Sequence, residues 1–114
     1  MKDIEIARQT MKAATKAHKR PVYRRALELL SRRANRLPIV NVGKLDKLAD
    51  DGGIILVPGK VLGGGTVTKR LQVGALSFTS SASLKITQAG GRALSLKDFV
   101  DEFGDTKGVL LVGG

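Results

Sequence analysis

The sequence predicts an α/β protein, a core of short alternating strands and helices preceded by a basic N-terminal helical arm. Three observations carry this. Apolar residues recur at helical spacing before Pro38, strand-like and helix-like patterns alternate after it, and the positive charge is concentrated in the first part of the chain. At 114 residues the chain is one domain's worth, and 42% hydrophobic residues are enough for a modest core. The arm is expected over residues 1–37 and the compact core over 38–114.

In the arm, Ile4, Ala7, Met11 and Ala14 form one helical stripe, and Tyr23, Ala26, Leu27, Leu30 and Ala34 form a second, with a break near Pro21. At about 100° per residue the second helix sets Arg25, Arg32 and Arg36 opposite its apolar seam, an arginine ridge suited to phosphate. Leu37-Pro38 closes the arm, because a residue before proline is pushed out of the helical region. Val40 to Val42 then reads as a short extended piece. Leu45 to Ala49 reads as a turn or two of helix ending at Asp51-Gly52-Gly53, and Ile54 to Val57 as a buried strand stopped by Pro58-Gly59.

Beyond Gly63-Gly64-Gly65, a strand pattern runs from Val67 through Leu71, Val73 and Ala75 to Phe78. Thr79 to Ser81 offers a cap for a helix through Ala82, Ile86 and Ala89 that stops at Gly90-Gly91. Ser95 can cap another, with Leu96, Phe99, Val100 and Phe103 on its apolar face and Gly104 as its stop. Val109 to Val112 makes a last strand.

Charge narrows the partner. Twenty Lys and Arg against ten acidic residues give +10, which a polyanion would relieve. Residues 1–44 hold +9 of it (12 basic, 3 acidic) and residues 45–114 only +1 (8 basic, 7 acidic). The arm and its surroundings therefore contribute Lys19, Arg20, Arg24, Arg25, Arg32, Arg33, Arg36 and Lys44 as candidate RNA-binding residues. No apolar run approaches the roughly 18 residues of a membrane span and no signal-peptide pattern opens the chain, so no membrane partner is expected.

The absence of Cys excludes disulfides and thiolate metal sites, and the single His18, lying in a Lys-rich stretch, reads as solvated. No metal and no cofactor are expected. Asp50-Asp51 precedes a turn, and Ser80, Ser81 and Ser83 have no activating base, so no catalytic residue and no small-molecule substrate are assigned.

The glycine triplet fits neither phosphate-binding fingerprint. Counted from Gly59, a Walker loop would need lysine at Gly65, and a dinucleotide loop would need Gly or Ala at Thr68 with a helix next. Two readings remain: the glycines serve turns of positive φ, or they let another backbone approach closely. Residues 60–92 contain Lys60, Lys69, Arg70, Lys85 and Arg92 and no acidic residue, which suits RNA phosphate. Of these, Lys60, Lys69, Arg70 and Lys85 join Gly63, Gly64 and Gly65 as candidates. With only four aromatic residues, recognition by backbone and shape is expected rather than base stacking.

The stretch Lys60 to Gly91, KVLGGGTVTKRLQVGALSFTSSASLKITQAGG, resembles the signature shared by bacterial large-subunit ribosomal protein fifteen and its archaeal and eukaryotic relative, large-subunit ribosomal protein eighteen-e. The likeness rests on Lys60, Val61, Leu62, Gly63, Gly65, Val67, Leu71, Val73, Phe78, Thr79, Ala82, Ile86 and Gly90 in register. Val40 to Gly63 resembles the eighteen-e branch in particular, whereas the arm is similar only in its basic helical character. The resemblance implies an irregular superhelix of strand-strand-helix units and a non-catalytic, cytoplasmic scaffold of the ribosome. It implies large-subunit rRNA and neighbouring large-subunit ribosomal proteins as partners. Two alternatives are a phosphate-ligand enzyme built on the glycine loop and a general nucleic-acid-compacting protein.

Overall fold

A computed structural model describes residues 2–33 and 36–113. The order is α1 (Lys2–Ala17), α2 (Pro21–Leu30), β1 (Ile39–Asn41), α3 (Val42–Leu48), β2 (Ile54–Leu62), β3 (Gln72–Phe78), α4 (Ser80–Gln88), β4 (Arg92–Ser95), α5 (Leu96–Phe103) and β5 (Leu110–Leu111). The α/β class read from the sequence is the one observed.

Every strand pairing is parallel, in the order β1-β2-β3-β4, with β5 also on β2. A parallel sheet needs cover on both faces, and alternation along β2 provides for it. Ile55 and Val57 join Val42, Leu45, Ala82 and Ile86 beneath α3 and α4. Leu56 joins Ala7, Met11, Tyr23, Leu30 and Phe99 beneath α1, α2 and α5. Met11, Tyr23 and Leu30 have no exposed surface, so the basic helices bury their apolar stripes in the protein's own core. Gly74 makes room for Phe99, because a side chain there would meet the ring at 2.5 Å.

The capping signals hold. Thr79 accepts from the Ala82 amide, Ser95 accepts from the Asp98 amide, and Pro21 opens α2.

Four readings need correction. Pro58-Gly59 does not stop the second strand, because β2 runs on to Leu62. Its register with β3 shifts between Val57 and Lys60. On its other edge β5 pairs at Ile55–Leu56 and β1 at Lys60–Leu62, so the proline falls between partners and its missing N–H is not needed. Gly59 lets Pro38 pack closely, and the Lys60 amide donates to the Pro38 carbonyl at 2.9 Å.

Strand β3 begins at Gln72 rather than Val67, since the amides of Thr68, Lys69 and Arg70 donate to Asp46 and Asp51 and not to a ladder. The arginine ridge is not one helix face: Arg25 lies on α2, but α2 ends at Leu30, and Arg32 and Arg36 lie past its Ser31 cap. Ala34, the last member of that stripe, lies outside the described residues. Finally, β4 pairs with Gln72 to Ala75 although no strand is legible between Gly91 and Ser95; it is four residues long and its last residue doubles as a helix cap.

Candidate nucleic-acid interface

The basic residues divide by what their side chains touch. In the N-terminal part, Lys12, Lys16, Lys19 and Arg24 are exposed on or between α1 and α2, and none forms an ion pair among the described residues. Arg32, Arg33 and Arg36 are also exposed and together line a shallow depression beyond α2. Lys44 on α3 and Lys60 on β2 are exposed as well.

Other members of the arm are used internally. Arg8, absent from the sequence candidates, donates from Nε to the Leu30 carbonyl at 2.7 Å and from Nη2 to the Arg32 carbonyl at 3.3 Å, satisfying carbonyls at the end of α2. Arg25 pairs with Glu28 at 3.0 Å. Arg20 donates to the Asp105 carbonyl at 3.2 Å.

Nor is His18 simply solvated, because its Nδ1 lies 2.7 Å from Asp105 Oδ1 and its ring packs on Gly104. Beside it the buried Tyr23 hydroxyl donates to the Gly104 carbonyl at 2.8 Å. Burial, and secondarily the negative charge of Asp105, push the Tyr23 phenol above its ordinary range against the opposing effect of Arg20. These contacts fasten the turn between α1 and α2 to the turn after α5.

Around the glycine loop the picture is different. Residues 60–92 are free of acids in sequence, but α3 and the turn after it bring acids to them. Asp46 accepts from the Thr68 and Lys69 amides at 3.0 and 3.1 Å and from the Thr68 hydroxyl at 2.9 Å. Desolvation pushes the Asp46 carboxyl up, but the hydrogen bonds from Thr68 and Lys69 together outweigh it and hold the group below its ordinary range.

The Lys69 ammonium donates to the carbonyls of Asp46 and Ala49, at 2.5 and 2.8 Å, where it complements the C-terminal end of α3. Arg70 grips Asp51 through its amide and its guanidinium, each at 2.8 Å, and the guanidinium bond first, then the amide, lowers the Asp51 carboxyl to about 2. Arg92 pairs with Glu102. Of the five basic residues in the stretch, Lys60 alone has an ammonium or guanidinium without a hydrogen-bond or ion-pair partner among the described residues.

The triplet itself is packed against its own chain. The Gly64 amide donates to Asn41 Oδ1 at 3.0 Å, and the Gly43 amide donates to the Gly64 carbonyl at 2.9 Å. Lys85 Nζ donates to the carbonyls of Gly63 and Gly65, both at 2.6 Å. A Cβ at Gly63 would collide with Ser81, and one at Gly64 would meet Asn41 Oδ1 at 2.5 Å. At Gly65, where φ is +90°, a Cβ would lie 2.7 Å from the Gly43 Cα. Positive φ, one of the two uses of glycine read from the sequence, occurs at Gly65, where the backbone closely approached is that of Gly43 in α3, while Gly64 packs on the Asn41 side chain.

Asn41, Asp46, Asp51 and Ser81 were not singled out as site residues. A signal existed for two of them: Asp46 and Asp51 lie just ahead of an acid-free basic stretch, where opposite charge invites pairing across a parallel crossover.

Among the described residues, no group of three His, Asp or Glu could hold a metal, and no helix is long and apolar enough to cross a membrane.

Residues 39–94, which span β1 to β4 and contain the glycine loop, match the family model of ribosomal proteins 50S-L15, 50S-L18e and 60S-L27A. The chain is 43% identical over 103 residues to the large ribosomal subunit protein eL18 of Methanopyrus kandleri, covering 86% of this chain and 80% of that one. It is 35% identical over 107 residues to the eL18 of Pyrobaculum aerophilum, with 94% and 87% covered. A third relative, the eL18 of Sulfurisphaera tokodaii, is 38% identical over 96 residues, with 84% and 81% covered. At 94% coverage the match to the Pyrobaculum aerophilum protein takes in the basic helices as well as the sheet, and the chain belongs to the family of ribosomal proteins 50S-L15, 50S-L18e and 60S-L27A.

Proposed function

We propose that this protein is a structural constituent of the large ribosomal subunit in the cytoplasm, where it binds and stabilises folded large-subunit rRNA beside neighbouring ribosomal proteins. The observation that carries the reading is the set of exposed cations that have no acidic partner among the described residues, Lys19, Arg24, Arg32, Arg33, Arg36, Lys44 and Lys60, on a folded scaffold. Such side chains displace counterions from phosphates, a term that needs no base sequence.

Residues 1–37 supply most of the attraction and residues 38–114 the rigid family core that fixes orientation. The family is one of ribosomal proteins and not of enzymes. The glycine loop supports this: the element that follows it is strand β3 and not the helix that a nucleotide-binding loop opens.

The test is cosedimentation of tagged protein with large subunits, followed by affinity measurements on isolated large-subunit rRNA across a salt series. Association that is lost at high salt is expected, with log affinity falling by about 0.7 to 0.9 per phosphate engaged for each unit of log salt. Protein that stays at the top of the gradient, or an affinity indifferent to salt, contradicts it.

A further inference from the structure

Lys85 lies in the acid-free basic stretch of the sequence but is half-buried on α4, and its ammonium sits between two backbone carbonyls. An ammonium has three donors, and here two are committed at 2.6 Å to Gly63 and Gly65. The carbonyl between them, that of Gly64, accepts from the Gly43 amide. Three successive carbonyls are thus held by internal donors, which keeps their negative ends away from any phosphate that approaches the exposed Gly64, Gly65 and Thr66. The amides of Gly65 and Thr66 have no acceptor among the described residues, and successive unpaired amides favour an anion.

We infer that Lys85 is a positioning residue of the RNA interface: it orients the glycine loop for RNA and does not itself contact phosphate. The inference rests on the reading that the loop faces RNA. Ser81 assists from the same helix by filling the space a Gly63 side chain would need, and Asn41 assists by holding the Gly64 amide. Lys60, exposed and with no partner among the described residues, is the contrasting case of a cation available to phosphate.

Lys85→Met and Lys60→Met separate the two roles by measurements with and without RNA. In the free protein, Lys85→Met is expected to speed hydrogen exchange of the Gly43 and Gly64 amides by about ten-fold or more, while Lys60→Met leaves it unchanged. On large-subunit rRNA, Lys85→Met lowers affinity with its salt dependence intact, and Lys60→Met flattens that dependence by about 0.7 to 0.9.

A salt dependence flattened by Lys85→Met, or exchange rates it does not alter, overturns the inference. If the wild-type protein fails to bind rRNA, the ribosomal reading fails, and the exchange measurement still decides whether Lys85 holds the loop. Should Lys85→Met not fold, the wild-type ζ-ammonium resonance decides: slow proton exchange at Lys85 relative to Lys60 is expected, and equal fast exchange refutes the inference.

Discussion

The N-terminal helices and the glycine-loop region are both basic in sequence, yet they use their charge in opposite ways. In the first, Lys12, Lys16, Lys19, Arg24, Arg32 and Arg33 stand exposed with no acidic partner among the described residues, and Arg8 and Arg20 are turned inward. In the second, Lys69, Arg70, Lys85 and Arg92 are committed to carbonyls or carboxylates, and Lys60 is left. Charge counted along a chain therefore measures attraction only where the fold brings no acid alongside. Asp46 and Asp51, outside the acid-free stretch in sequence, are inside it in space.

The contrast is sharpest when broken deliberately. The largest effect is expected from Met11→Ala. Met11 is fully buried in the cluster shared by α1, α2, α5 and β2, so the basic helices should be inseparable from the core. A loss of about 2 to 5 kcal/mol in denaturant unfolding is expected, in a single transition reported equally by helix and sheet probes. A loss near zero would mean that the arm is merely attached.

Gly65→Ala should cost less, about 1 to 3 kcal/mol, because the residue would be held at positive φ against the Gly43 backbone. Equilibrium unfolding of that variant measures it, and an unchanged midpoint would show that the loop is free to rearrange.

The smallest effect concerns pH. Asp51 titrates at about 2 in the folded protein against 3.8 for the free group, so its pairing with Arg70 contributes stability that is full above pH 4 and is lost as pH falls toward 2. Both side chains are largely solvated, so the contribution is small. Asp51→Asn is expected to flatten the decline of the unfolding midpoint over that window, which acid titration of both proteins would detect. An identical decline in the two would leave Arg70 unneutralised.

Much of the fold was legible because its signals are local. Stripes at helical spacing, Pro21, Thr79, Ser95 and Gly104 mark helix ends through the groups within a turn of them. What was missed depends on distant partners. Pro58 looks like a strand end until β1 and β5 are seen to pair on either side of it. The backbone of Thr68 to Arg70 looks like strand until Asp46 and Asp51 take its amides.

At the interface, residue types were readable and their commitments were not. Lys60 and Lys85 are the same residue in the same basic stretch, and one faces solvent while the other holds two carbonyls.

The most direct measurement compares salt dependence of large-subunit rRNA binding for two neutralised proteins. One carries Arg32, Arg33 and Arg36 changed to Gln, and the other carries Lys69→Met with Arg70→Gln. The first should flatten the dependence by about 2 to 3, while the second should leave it unchanged even if its affinity falls. A flatter dependence in the second protein, with none in the first, would contradict the division of charge between the two regions.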